Sequence, residues 1–250
     1  MKPRNQYSPK TILNCPFHPV READVLQWSK ELLNSSQRGY LTTVNVAILM
    51  MMRTDKKLHG FIQKSTMIVA DGQPIIWLSK LLGKPLPGRV AGVDLCQSLA
   101  RMAAQNGKTI FLLGASNEVV KQARQHLKTD NPDLMIVGAK NGYFSGKETE
   151  LRVQEIKNSG ADILFVAMGV PRQEQFLQDN WDQLGVKLAI PVGGSFDVIA
   201  GYKKRAPKWM QNFGLEWSFR LLQEPRRLAK RYAITNSKFI WLSIKALLRR

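Results

Sequence analysis

The chain has 250 residues, 44% hydrophobic and 22% charged, enough to bury one full core near the size ceiling of a single domain. No run approaches the roughly 18 consecutive apolar residues of a spanning helix, MKPRNQYSPK at the start lacks the apolar stretch of a secretory signal, and Cys15 and Cys96 are too few for a disulfide framework or a paired zinc site. The expectation is a cytosolic protein whose membrane contact is peripheral, and its net charge of +18 calls for an anionic partner: nucleic acid, anionic lipid or a phosphorylated ligand.

In chain order, Leu41–Val46 is a candidate strand with Thr43 and Asn45 toward its end, where turn residues are common. Thr66–Ala70 is an apolar strand followed at once by Asp71-Gly72-Gln73-Pro74, a helix start with proline in its first turn. Arg89 follows in the loop PLPGRVAG. Val93–Gln105 has helical periodicity, Thr109–Leu113 is a strand ending in Gly114-Ala115-Ser116, and Asn117–Leu127 is helical again. The alternation continues through strand Leu134–Val137, helix Glu148–Asn158, strand Ile163–Ala167 and helix Pro171–Trp181, which carries Gln173. Strand Lys187–Val192 leads into Gly193-Gly194-Ser195-Phe196-Asp197.

Short apolar strands alternating with helices imply an α/β fold, a Rossmann-like and mostly parallel sheet flanked by helices. Composition shifts after Ala200: residues 200–250 hold 13 of the 37 Lys and Arg but only 2 of the 19 Asp and Glu. We therefore expect a core over residues 1–200 and a basic, amphipathic, helical appendage over residues 201–250. There Arg226, Arg227, Lys230 and Arg231 recur at helical spacing, with Phe239, Trp241, Leu242 and Ile244 beyond them, a mixture suited to an anionic membrane surface.

In open parallel sheets, ligands bind beyond the carboxyl ends of the strands. Asp71 sits at such an end, a placement that suits a general base or, equally simply, an N-cap of the helix near Pro74. Gln173 can hydrogen-bond a sugar or be an ordinary first-turn residue, and Arg89 can be a site or a solvated loop arginine. The glycines at 193 and 194 allow a backbone to approach a ligand closely. The chain lacks GxGxxG, the phosphate-loop signature, HExxH and G-x-S-x-G, and its three histidines are scattered. It also lacks an Asp-x-Asp pair for holding a divalent ion on a nucleotide diphosphate, so Arg, Lys and helix dipoles would have to balance phosphate charge.

The ordered set Thr43-Val44-Asn45, ADGQPIIW, RVAGVDL, FLLGAS, NGYF, VAMGVPRQEQF and VGGSFDVIAGYKKRAPKWMQNFGLEWSFRLLQEPRRLAKRY resembles the WecG/TagA/CpsF glycosyltransferase family from about Leu41 to Tyr232. The resemblance implies an inverting, metal-independent transfer, without cofactor, from a UDP-sugar to a polyprenyl-diphosphate-linked sugar at the inner face of the bacterial cytoplasmic membrane. It makes Asp71 the base and puts Thr43, Asn45 and Gln173 at the sugar, with Arg89 also in the site. Arg220, Arg227 and Lys230 match tail positions that reach back to the diphosphate. The chain departs from the family at Val46-Ala47, where many members have Pro and Glu; this tilts the donor toward glucose and an exopolysaccharide, with N-acetylmannosamine and its uronic acid as the other choices. Two other classes stand beside it: a basic nucleic-acid-binding α/β protein, supported by charge alone, and a Rossmann-type epimerase or dehydrogenase, opposed by the missing dinucleotide fingerprint. Exposed apolar surface would await the membrane or, in a homo-oligomer, a neighbouring copy.

Overall fold

The apolar runs pair side by side as a six-stranded, wholly parallel sheet, the arrangement expected of strands buried on both faces. The computed structural model that shows this describes residues 7–249 and, for Asn212 and Arg227, the backbone alone. A hairpin of β1 (Lys10–Ile12) and β2 (Cys15–Phe17) comes first, then α1 (Glu22–Leu33), β3 (Gly39–Val44), α2 (Val46–Met51), α3 (Lys56–Lys64) and β4 (Met67–Ala70). Next are α4 (Gln73–Leu81), α5 (Gly92–Gln105), β5 (Thr109–Gly114), α6 (Asn117–Asp130) and β6 (Met135–Lys140). The sheet is completed through α7 (Lys147–Asn158), β7 (Ile163–Ala167), α8 (Arg172–Leu184) and β8 (Leu188–Pro191). The chain ends in α9 (Ser195–Ile199), α10 (Lys208–Asn212), α11 (Glu216–Gln223) and α12 (Pro225–Leu248).

The strand order is β4-β3-β8-β7-β5-β6. From β3 the chain steps outward to β4 at one edge, and from β5 outward to β6 at the other. Their loops diverge at the carboxyl ends and leave a crevice between them. Alternate strand residues serve opposite layers. Tyr40, Val44, Phe111, Leu113 and Val166 face α2, α3, α4, α7 and α8. Leu41, Ile110, Leu112, Phe165 and Ile190 face α1, α5, α6 and α9. The N-terminal hairpin leads His18 alongside edge strand β4, where its Nδ1 accepts from the Ile68 amide at 3.0 Å, and burial lowers the proton affinity of that ring.

The C-terminal helices are not confined to the surface. Helix α12 packs on α2, and its Phe239 is buried in the same apolar cluster as Tyr40, Val44 and Ile48, with Leu242 against it. At the other edge, β6 runs three residues past the predicted Val137. Met135 and Val137 are exposed there, so the apolar pattern weakens before the strand ends. The register of β5 and β6 shifts between Ile110 and Phe111, and a methyl group on Gly138 would lie 2.2 Å from the Phe111 ring.

Gly114 closes β5 with φ +142°, and a methyl group on it would lie 2.3 Å from the backbone oxygen of Ala167 on β7. Only glycine meets both conditions. The turn it makes lets Ser116 cap α6, its hydroxyl accepting from the Val119 amide at 3.3 Å. Gly114→Ala is expected to destabilise the protein by about 3 kcal/mol or more, read as a fall in the midpoint of thermal or urea unfolding; an unchanged midpoint would contradict this packing.

Candidate active site

The crevice at the carboxyl ends of the strands is a cleft of about 1020 Å³. Thr43 and Asn45 reach it from the end of β3, Asp71 from β4, Ser116 from β5, Gln173 from the β7–α8 turn, and Gly193 and Gly194 from β8. Glu216 and Arg220 of α11 and Arg231 of α12 line it from the C-terminal side.

Asp71 does not cap α4. Gly72 occupies the cap position and no side chain satisfies it, so the carboxylate is left for other work. Its Oδ2 accepts from the Gly92 amide at a long 3.4 Å. A methyl group on Gly92 would lie 3.4 Å from Thr43 Oγ1, 3.8 Å from Asp71 Oδ2 and 3.8 Å from Ser195 Oγ, so three oxygen-bearing side chains converge at one helix start. Burial, and then the negative charge of Glu216, push the Asp71 carboxyl above its ordinary proton affinity, while Arg220, Arg89 and the Gly92 amide act against them. The result is a carboxylate more basic than a surface aspartate, which favours it as a proton acceptor.

Glu216 holds this corner together. Arg89 donates from Nη1 to Glu216 Oε2 at 2.7 Å and from Nη2 to Gln211 Oε1 at 3.0 Å, and Arg220 donates from Nη2 to Glu216 Oε1 at 2.8 Å. Burial alone would raise the Glu216 carboxyl, but the two guanidinium groups hold it below its usual value. Arg220 in turn remains firmly protonated: burial works against its charge, and Glu216 and Asp71 outweigh that. Further contacts fasten the same segment: Arg205 pairs with Asp94 through two hydrogen bonds, and Lys203 lies 3.7 Å from Asp197 and 3.2 Å from Glu224. At Gly214 (φ +64°), a methyl group would come within 3.0 Å of Trp77 and 3.1 Å of Gln73. The segment that carries α10 and α11 is thereby fastened beside the cleft, which α11 lines.

Gln173 is buried, and both ends of its amide are used: Oε1 accepts from the Gly193 amide at 3.0 Å and Nε2 donates to Glu174 Oε1 at 2.8 Å. In this state it shapes the Gly193–Gly194 loop. Asn45 caps α2, its Oδ1 accepting from the Ile48 amide at 3.0 Å, which leaves its amide N–H pair for a ligand. Lys230 is exposed on α12 and outside the cleft lining, whereas its neighbour Arg231 lines it. The Arg227 side chain lies outside the described residues.

Two functional candidates escaped the sequence reading. Glu216 had one visible signal, as one of only two acids among the 13 cations of residues 200–250. Glu174 had none. It is buried beside Gln173, its Oε2 has no hydrogen-bond partner among the described residues, and burial raises its carboxyl to about 7 against the lowering influence of Gln173 and Arg231.

A carboxylate of raised basicity and a wall of arginines at the switch point of a parallel sheet define an α/β group-transfer enzyme. The chain matches the model of the glycosyl transferase WecG/TagA/CpsF family over residues 10–250, and it belongs to that family. It is similar to the N-acetylglucosaminyldiphosphoundecaprenol N-acetyl-beta-D-mannosaminyltransferase of Bacillus spizizenii, 34% identical over 202 residues that cover 81% of this chain and 78% of the relative. The Bacillus subtilis protein of the same name is 31% identical over 232 residues, 90% of each chain. The family resemblance carried by the motifs is thereby established, and the chain is a glycosyltransferase.

Glu216→Gln keeps the shape of the clasp but removes its charge. With Asp71 as proton acceptor, the acid limb of the kcat/KM profile is expected to move to lower pH, because Glu216 no longer raises that carboxyl. The value of kcat/KM should fall by about tenfold or more as charge-assisted hydrogen bonds to Arg89 and Arg220 are lost. An unmoved limb would contradict the coupling. For Glu174, the unfolded chain loses its proton near the ordinary 4.5, whereas the folded chain keeps it until about 7. Stability should therefore fall as pH rises between those values. Urea unfolding of Glu174→Gln should lack that fall, leaving the variant more stable than wild type at pH 8 by on the order of 3 kcal/mol.

Proposed function

We propose that the protein transfers a sugar, with inversion and without a metal ion, from a UDP-sugar to a sugar joined by a diphosphate to a polyprenyl chain. The observation that carries this reading is the presence of Asp71 and the Arg89–Glu216–Arg220 clasp in one cleft, a proton acceptor beside anchored cations. Asp71 takes the proton of the acceptor hydroxyl as that oxygen bonds to the anomeric carbon from one face. On the opposite face the bond from that carbon to the β-phosphate oxygen breaks, its electron pair leaves with UDP, and the Asp71 proton passes to solvent. Arg220, backed by Arg89 and joined by Arg231, meets the negative charge growing on the leaving diphosphate, a task that a metal ion performs elsewhere. Thr43 and Asn45 orient the sugars, and Gln173 sets the glycine loop against which they lie.

The relatives' names support N-acetylglucosaminyl-diphosphoundecaprenol as acceptor and favour an N-acetylmannosaminyl donor over the glucosyl donor suggested by Val46-Ala47. Those two residues form the first turn of α2, whose start Asn45 caps, and both line the cleft. Residues 201–250 serve as an appendage that completes the site and rests on the anionic inner face of the cytoplasmic membrane. In support, α12 exposes Trp241 and Leu248 near Lys238 and Lys245. Among the described residues no helix is long and apolar enough to cross a membrane. The basic side chains that would have served a nucleic-acid-binding protein are partly spent here on walling the cleft.

Asp71→Asn should lower kcat by about 100-fold to 10,000-fold and leave UDP affinity within a few-fold of wild type. UDP release in chelator, with a panel of UDP-sugars and a lipid-linked acceptor, checks this; a variant that keeps full turnover removes Asp71 from the role of base.

A further inference from the structure

The cleft does not stop at Asp71. It continues along α12, where its lining recurs every three or four residues through Leu228, Tyr232, Asn236, Ile240, Ile244 and Leu247, a stripe along one side of the helix, with Arg231 beside its inner end. From Tyr232 to Leu247 this stripe spans about 22 Å at 1.5 Å per residue. The same cleft is lined by Trp77 and Leu81 of α4 and by Val46 of α2, the helix on which α12 packs. The chemistry changes along the way: a carboxylate and guanidinium groups at the inner end give way to hydrocarbon at the outer end. Ile240 and Ile244 are more than half exposed, and Trp77 nearly half, although all three line a groove. Apolar side chains left open in a concave surface mark a site for an apolar ligand.

We infer that the groove between α4 and α12 binds the hydrocarbon chain of the lipid-linked acceptor, one polyprenyl chain per molecule, and this rests on the transferase reading above. The order of groups in such an acceptor, a sugar hydroxyl, then a diphosphate, then an isoprenoid chain, matches the order of the lining: Asp71, then Arg220 and Arg231, then Ile240, Ile244 and Leu247. A bilayer surface is a different occupant, and α12 offers it a different face. Ile234, Trp241 and Leu248 are exposed but do not line the groove, and Lys245 lies over the Trp241 ring at 4.9 Å. One helix thus serves two hydrocarbon environments, a single chain on its inner face and the membrane on its outer face. Inner-face side chains would then select acceptors by chain length, independently of membrane binding.

The test compares kcat/KM of the full-length protein for two acceptors bearing the same sugar diphosphate, one with a short water-soluble chain and one with a long polyprenyl chain, in a uniform detergent. Wild type should prefer the long chain. The double variant Ile240→Gln, Ile244→Gln should lose that preference by about tenfold or more. Trp241→Gln should keep the preference and bind less to anionic phosphatidylglycerol vesicles by co-sedimentation. Because Ile240 and Ile244 are largely exposed, circular dichroism of the double variant should match wild type. A wild type indifferent to chain length overturns the inference, as does a double variant that loses vesicle binding while keeping the preference. Transfer to neither acceptor from any UDP-sugar would instead sink the transferase reading, and the groove's assignment with it.

Discussion

Glu216 is the point at which the two parts of the cleft meet. Its carboxylate lies between Arg89, which the α4–α5 loop delivers, and Arg220, one turn further along α11. Without an acid there, two guanidinium groups would face each other beside Asp71 with nothing to hold them in register. With it, the cations are paired to one another through a shared anion, and the C-terminal helices are fixed over the carboxyl ends of the strands. The same carboxylate pushes up the proton affinity of Asp71 while its partners pull it down. Position and basicity therefore depend on one cluster, and neither can be altered alone.

A chain with a net charge of +18 repels itself, and the fold spends its few acids where that repulsion is greatest. Glu216, Asp94, Asp197 and Glu224 each pair with a cation of the segment after Ala200. Of the other cations, Lys204 and Arg231 line the cleft, whereas Lys230, Lys238 and Lys245 lie on α12 outside its lining. In the proposed function, an anionic substrate and an anionic membrane surface would meet different parts of one charged segment. Because Phe239 and Leu242 of α12 pack into the core with α2, bringing the outer surface to a bilayer also brings the cleft to it.

Much of the architecture was legible because strands buried on both faces have apolar sequences that stand out from their surroundings. Thr109–Leu113, Ile163–Ala167 and Lys187–Val192 all fall on strands, and Asp71 lies where the end of β4 places it. Strand β6 ran longer than its pattern because an edge exposes Val137 and needs Gly138 against Phe111. The cap reading of Asp71 could not be settled by spacing, since it turns on whether the side chain folds back to α4 or across to Gly92. Gln173 was recognised as a residue near the site, but its bond to the Gly193 amide joins positions twenty apart in sequence. Glu216 showed in the sequence only as an acid in a basic segment, because Arg89, one of its two cations, lies 127 positions away, and Glu174 was illegible because it is burial by other elements that sets it apart. In the tail, a helical face can be read off the sequence to within about one residue. That margin separates Lys230, which points away, from Arg231, which lines the cleft.

The proposed reaction is a single displacement in which Asp71 accepts the proton and arginines, in place of a metal ion, stabilise the departing diphosphate. It is tested most directly by the anomeric configuration of the product, read by nuclear magnetic resonance after transfer in the presence of a chelator. Such a displacement gives efficient transfer with the configuration at the anomeric carbon inverted from that of the UDP-sugar. Retention of configuration, or turnover that appears only when a divalent metal ion is restored, would contradict it.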